Sequence, residues 1–417
     1  MQPDYDLLII GGGMVGASLV QALRSLPLRV AVVEASAPGA AHPSFDARGI
    51  ALAQGSKRIF EGLGLWQALQ GEGVTAITRI HVSDRGRFGS TRLSARDEGV
   101  EALGYVTEAN VLGRVLEKAL AEADNTTVLR PARLTGIGTR KEGVSARIDH
   151  DGEVLPLSAK LIVAADGGRS AVRALLGEKV LHHGYGQTAV IAYVTTDRPH
   201  GGWAYERFTN TGPLALLPCQ GARGTAEAAA GDHRWSVVYS VRDEEVEEIL
   251  ALPDEQFLVR LQERFGHRAG RFLSASPRQA YPLVLNFLRD HVRPRVVFIG
   301  NAAHAIHPVG GQGFNLGLRD VAALAEVLAD AVHRGEDVGA RAVLDRYAKW
   351  RQPDYLRTLA FTDGLARTFS SSFPPLALAR DLALLGMDLL PGAKRLFAAQ
   401  AMGLLGKQPR LARGLAI

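Results

Sequence analysis

The feature that most limits the fold is the run Ile10-Gly11-Gly12-Gly13-Met14-Val15-Gly16-Ala17, which lies directly between an apolar segment, Asp6 to Ile10, and a helical pattern reaching about Ser25. Glycines in Gly-x-Gly-x-x-Gly spacing between a strand and a helix divide the work. Gly11 permits a tight turn, Gly13 lets backbone approach a pyrophosphate, and Gly16 lets helix and strand pack closely. The helix then aims its unpaired N–H groups and positive dipole end at the phosphates. A second apolar strand, Arg29 to Val33, completes a βαβ unit with a buried parallel pair. Glu34 ends that strand about 20 residues past the glycines, where a carboxylate accepts hydrogen bonds from an adenosine ribose and repels a 2′-phosphate.

With 417 residues, 47% of them hydrophobic, and a mean hydropathy of +0.02, the chain can bury more than one structural unit. Its net charge of +5 is built from interspersed signs and lacks the basic blocks of nucleic-acid tails, so no nucleic-acid partner is expected. A single cysteine, Cys219, excludes a disulfide framework and a Cys-x-x-Cys centre and makes a cytoplasmic setting the default. The apolar run Leu7 to Val20 follows Asp4 and Asp6 and is broken by four glycines, so it reads as a folded element rather than an export signal. No uncharged apolar stretch of ~18 residues occurs, which leaves only peripheral membrane contact, at the inner face.

Changes of period and turn signals place the boundaries. Residues 105–123 predict an amphipathic helix, and Ala159 to Ala165 a further buried strand. From about 185 to 280 the pattern alternates, as in Trp235 to Val241, and carries Trp203, Tyr205 and Phe208, which predicts antiparallel strands. From Arg295 an apolar strand, a glycine-rich turn and a long helix through Leu328 resume the first unit. The expected class is α/β: a discontinuous Rossmann-like cofactor domain (1–75, 100–180, 281–365), an antiparallel-sheet substrate domain (76–99, 181–280) and a helical C-terminal region (366–417).

One dinucleotide fingerprint does not separate NAD from FAD, but two later motifs narrow the choice. Ala164-Ala165-Asp166-Gly167-Gly168-Arg169-Ser170 follows an apolar strand; Asp166-Gly167 predicts a sharp turn, and Ser170 a helix cap. Further on come Gly300-Asn301-Ala302-Ala303-His304 and Pro308-Val309-Gly310-Gly311-Gln312-Gly313-Phe314-Asn315. Here a strand ends in a turn able to reach a ribitol chain, and Gly311 and Gly313 bring backbone against a flat ligand. A helix from about Asn315 begins beneath it, with its dipole suited to negative charge on a reduced flavin. No second fingerprint and no redox cysteine pair is present, as a disulfide reductase would need.

These three motifs, in this order, resemble the para-hydroxybenzoate-hydroxylase type of flavoprotein monooxygenase over most of the chain. The stretches Phe45-Asp46-Ala47-Arg48-Gly49-Ile50-Ala51-Leu52, His81-Val82-Ser83-Asp84-Arg85-Gly86 and Glu206-Arg207-Phe208-Thr209 with Gly212-Pro213-Leu214-Ala215 are similar to the ubiquinone-biosynthesis hydroxylases, in particular the branch acting on 2-polyprenyl-6-methoxyphenol. The resemblance implies noncovalent FAD, NAD(P)H as electron donor and O₂ as co-substrate, with a polyprenyl phenol hydroxylated on its ring through a flavin hydroperoxide. It puts Gly11, Gly13 and Gly16 at the pyrophosphate, Glu34 at the ribose and Arg48 at the pyrophosphate or flavin edge. Asp166, Gly167, Gly300, Asn301, Gly311, Gly313 and Asn315 complete the cofactor set. The wider group has Gly-Asp where this chain has Gly300-Asn301; an asparagine keeps a hydrogen bond but brings no charge. A same-fold flavin reductase of a prenyl lipid, or a flavin-bearing scaffold subunit of a quinone-synthesis complex, stays open as an alternative, as does a homo-oligomer.

For the catalytic group the loop of His307, Pro308 and Gln312 is the place to look. His304 and His307 lie three apart, but no Cys, Asp or Glu nearby completes a ligand set, so no metal centre is expected. His182 and His183 read as exposed loop residues, and Cys219 as core filler. After about Ser370, Leu376, Leu378, Leu382, Leu384, Leu385, Leu389, Leu390 and Leu396 form an apolar helical stripe beside Lys394, Arg395, Lys407, Arg410 and Arg413. The stripe suits packing on the protein or a subunit contact, with a membrane surface as the alternative.

Overall fold

Leu7, Leu8, Ile9 and Ile10 are apolar on both faces, as a central parallel strand requires, and all four are buried. The computed structural model describes residues 3–38, 42–307, 309–370, 381, 386 and 390–417. In it the strand Tyr5–Ile10 lies between Val30–Val33 and Glu153–Ala164, and pairs with both in parallel. Glu153–Ala164 in turn pairs in parallel with Val296–Phe298, and Val30–Val33 with Thr126–Leu129. Segments almost 300 residues apart in sequence thus belong to one sheet, on either side of Glu153–Ala164.

Alternation sorts the side chains of this sheet onto two different layers. Leu7, Ile9, Val30, Val32, Leu161 and Val163 join a core with helices Met14–Leu23, Ala109–Ala121 and Gln312–His333. Leu8, Ile10, Ala31, Val33, Ile162 and Ala164 instead face the antiparallel pair Ala132–Thr139 and Val144–His150. The sheet is therefore covered by helices on one face and by strands on the other.

A second, nine-stranded sheet is built from residues 79–94 and 180–305. Most of its pairings are antiparallel, but Trp203–Thr209 runs parallel to Arg79–Asp84, a mixed arrangement that alternation cannot reveal. Gln279–Leu288, assigned from sequence mainly to the resumed cofactor domain, pairs with Val180–Thr196 in this sheet. His182 and His183 lie in that long strand and not in a loop, though both are exposed. The helix expected over 105–123 starts only at Ala109, because Gly104–Glu108 is a strand between Gly49–Ala53 and Thr75–Ile77. Tyr105, Val106 and Thr107 are aromatic and β-branched, and favour that pairing.

The 30-residue helix Arg341–Ser370 packs on Gln312–His333, and the helix Pro391–Ala401 is followed by a short turn of helix at Leu411–Arg413. Leu376, Leu378, Leu382, Leu384, Leu385 and Leu389 of the apolar stripe lie outside the described residues. Leu390 and Leu396 are 61% and 60% exposed. Among the described residues no helix is long and apolar enough to cross a membrane.

Candidate active site

Four parallel strands lie side by side, and each ends at one of the sequence motifs: Val296–Phe298 at Gly300, Glu153–Ala164 at Asp166, Tyr5–Ile10 at Gly11, Val30–Val33 at Glu34. Ligands of open α/β sheets bind at this carboxyl edge. Backbone bonds stitch the ends together: Gly11 N–H donates to Val33 O at 2.9 Å, Ala165 N–H to Ile10 O at 2.8 Å, and Ile299 N–H to Ala164 O at 3.0 Å. Gly11 has φ +103°, and a Cβ there would lie 2.5 Å from Ala165 O. A Cβ on Gly16 would lie 1.9 Å from Gly11 O, so helix and turn touch backbone to backbone. Gly300, at φ +57°, rests on Val15 of the same helix, 2.9 Å from where its Cβ would be. The three glycine turns are one structure.

Arg173, three residues past Ser170, locks two of these turns together, a role its position in the sequence does not announce. Its guanidinium donates to Ala302 O at 2.9 Å and to Gly168 O, joining the aspartate turn to the asparagine turn. Ser170 caps the helix that carries it, accepting from Arg173 N–H at 3.1 Å.

The edge fits a dinucleotide. Helix Met14–Leu23 starts at Gly13 with no side-chain cap and no acid in its first turn, so its N–H groups point outward unsatisfied by any side chain. Glu34 accepts from Gly12 N–H at 2.7 Å and from Ser36 N–H at 2.6 Å, with His42 Nε2 3.4 Å away. Burial raises the Glu34 carboxyl, but the hydrogen bonds from His42, Ser36 and Gly12 outweigh it and hold it down at about 2. Asp166 uses one oxygen on Val172 N–H at 3.2 Å, while its buried Oδ1 has no partner. Burial pushes that carboxyl up. Gly167, at φ +78°, leaves open space beside it, and Asn301 is exposed at the next turn.

The late loop is more structural than its sequence suggests. Gly310 and Gly311 are left-handed at φ +66° and +62°, and helix Gln312–His333 begins at Gly311, uncapped. Asn315 is fully committed within the protein: its Oδ1 accepts from Ala53 N–H and the Ser56 hydroxyl, and its Nδ2 donates to Ala51 O and Gly311 O. It shapes the loop rather than offering a free side chain. Gln312 donates to Gly310 O and Ala401 O, while its buried Oε1 is unpartnered. Gly313 has open space where a side chain would stand. His307 is buried with its ring 4.8 Å from that of Tyr185, and burial depresses it to about 4, so it is neutral at pH 7. Pro308 lies outside the described residues. Arg48 lies 3.1 Å from Asp46 and over the Tyr281 ring, and Tyr281 also donates to Asp46.

Beneath Gly300 sits a buried ionic network that no periodicity announces. Asp320 accepts from Gly300 N–H at 3.0 Å and Tyr355 OH at 2.7 Å, pairs with Arg351 at 2.8 Å, and lies 2.7 Å from His304 Nε2. Arg351 and Arg319 share Asp354. Burial opposes charge on Asp320, but Arg351, His304 and the hydrogen bonds hold it far below the usual carboxylate range. His304 is thereby turned to Asp320, and His307 to Tyr185, so the two imidazoles do not converge.

Beside the late loop opens a cavity of about 640 Å³. Ala51, Leu52 and Ala53 connect it to the loop at Gly310 and Gln312, while Ile80, Val82, Phe208, Phe361 and Phe397 make its walls apolar. Among the described lining residues Glu206 is the one that titrates.

An FAD-binding-domain family matches residues 4–362. The chain belongs to this family. Among its relatives is ubiquinone hydroxylase UbiL of Rhodospirillum rubrum, 39% identical over 98% of this chain and 93% of that protein. Another is 3-demethoxyubiquinol 3-hydroxylase of Escherichia coli, 30% identical over 96% of this chain and 98% of its own length. The fold is shared with p-nitrophenol 4-monooxygenase PnpA of Pseudomonas putida, with a TM-score of 0.77 at 19% identity, covering 98% of this chain and all of that one. Membership of the family makes FAD the dinucleotide that the strand-edge geometry is read against.

Proposed function

We propose that this protein is an FAD-dependent monooxygenase that hydroxylates the aromatic ring of a polyprenyl phenol in ubiquinone biosynthesis, with NAD(P)H as electron donor and O₂ as co-substrate. The observation that carries the reading is the convergence of four motif-bearing strand ends on one edge, beside a large apolar cavity. Relatives named as ubiquinone hydroxylases, at 30% and 39% identity over nearly the whole chain, support the substrate class.

Bound FAD supplies the redox chemistry and the activated oxygen. The chain's residues do the rest. Gly11, Gly13 and Gly16, with the open helix start, hold the pyrophosphate, and Glu34 takes the adenosine ribose. Asp166 and Gly167 would serve FAD from the middle turn, Gly300 and Asn301 would hold the ribityl chain, and Gly311, Gly313 and the second uncapped helix start would hold the flat ring. Arg48 faces the pyrophosphate or flavin edge, and His307 and Gln312 position the loop. The apolar walls exclude water that would divert the reactive oxygen and admit a prenylated ring. Exposed Leu390 and Leu396, with Lys394 and Arg395 between them, favour peripheral contact with the bilayer in which such a substrate dissolves.

The test is to delete the gene and identify the lipid that accumulates. A precursor lacking one ring hydroxyl is expected, and a normal quinone pool would remove the assigned substrate. Purified protein that takes up no FAD on reconstitution would remove the cofactor as well.

A further inference from the structure

Strand Trp203–Thr209 lies inside the nine-stranded sheet, with Glu206 opposite Val82 on one neighbour and Ala215 on the other. Val82 and Phe208, on either side of Glu206, line the apolar cavity, and so does Glu206 itself. Among the described residues none hydrogen-bonds to this carboxyl or pairs with it. The other polar lining groups are Gln312, Asn315 and Thr368, none of them titratable; Asp363 on the neighbouring helix is bonded to Tyr185. An unpartnered carboxyl in an apolar wall costs stability, and no described residue offsets it. Its burial alone raises it to about 7.

We propose that Glu206 receives the hydroxyl hydrogen of the phenolic substrate in this cavity, first as hydrogen-bond acceptor and then as proton acceptor. The inference rests on the phenol reading above. In the proton step the phenolic O–H bond breaks and an O–H bond forms on the carboxylate. The electron pair left on oxygen spreads into the ring, which raises the nucleophilicity of the ring carbons ortho and para to it. No oxidant is consumed in this exchange; when the ring is later substituted, the substituted carbon releases its own hydrogen to solvent as a proton to restore aromaticity, and the carboxyl returns its proton to the phenolic oxygen. A carboxyl poised near neutral pH suits this exchange.

The experiment measures binding, without turnover, to the FAD-loaded protein. The probes are a short-chain 2-prenylphenol and its methyl ether, followed by perturbation of the flavin absorbance from pH 6 to 8. In the wild type, preference for the phenol should grow by roughly tenfold as the carboxylate forms, because the ether has no hydrogen to donate to it. Glu206→Gln should keep FAD and the ether affinity but lose the pH dependence, and Glu206→Asp should restore part of it. A wild type whose preference does not change with pH, or a Glu206→Gln protein with the wild-type profile, would overturn the role of Glu206 and leave the phenol reading intact. Wild-type protein that holds FAD but binds neither probe would instead overturn the phenol reading, and this proposal with it.

Discussion

Replacing Arg173 by Met tests whether the aspartate and asparagine turns must be tied together to hold the cofactor. The substitution keeps much of the aliphatic bulk and removes the bonds to Ala302 O and Gly168 O, together with a longer one to Asn301 O at 3.5 Å. Each bond from a charged donor contributes roughly 1.5–3 kcal/mol. The two sites differ in what replaces the lost donor: Gly168 is exposed and its carbonyl regains water, whereas Ala302 is fully buried and its carbonyl does not. The net loss is therefore about 2–3 kcal/mol, dominated by Ala302. If half of it falls on the cofactor site, the FAD Kd rises roughly tenfold. Flavin fluorescence quenching on deflavinated protein measures that constant, and thermal unfolding with and without FAD measures the rest. An FAD affinity within about twofold of wild type, alongside a lowered Tm, would refute the clamp and leave Arg173 as a packing residue.

Gly16→Ala drives a methyl group into Gly11 O and should yield protein that retains no flavin after purification, read from its visible absorbance. Asp320→Asn removes the charge that Arg351 and His304 both face; with a buried partner left unpaired, unfolding in urea should show a loss of about 3–5 kcal/mol. His307 is depressed from 6.5 to about 4, so the unfolded chain takes up its proton first as pH falls. Stability should drop from pH 6.5 towards pH 4 and then stop changing on this account, and His307→Gln should flatten that leg of a pH–Tm series. Glu34 has the same sign in a lower window: its contribution is complete above 4.5 and is lost as pH falls to about 2, so Glu34→Gln should flatten the pH–Tm series between those two values.

What the sequence disclosed followed local rules. Strand, glycine turn and helix at Ile10 to Ala17 are written in adjacent residues, as are Asp166-Gly167 and Gly300-Asn301, because backbone turns depend on few neighbours. Side-chain partnerships across the chain left no such trace. The Asp320 network gathers residues from 300 to 355 whose spacing follows no face of a single helix. Asn315 has the residue type of a ligand-binding group, yet four protein partners absorb it. Glu206 was visible only as part of a resemblance, since alternation along a strand does not say which face borders a cavity. The long strand from Val180 was hidden for a related reason: His182, His183 and Gly184 carry no apolar face of their own.

The strand Val296–Phe298 abuts Glu153–Ala164, which itself abuts the first strand of the chain. A ribosome that has made the opening two-thirds of the protein has therefore built a sheet with one border still bare. On the proposed reading the Gly300 turn completes the cofactor site, so a chain terminated before Val296 should be recovered pale, with Ile162 to Ala164 lacking their strand partner.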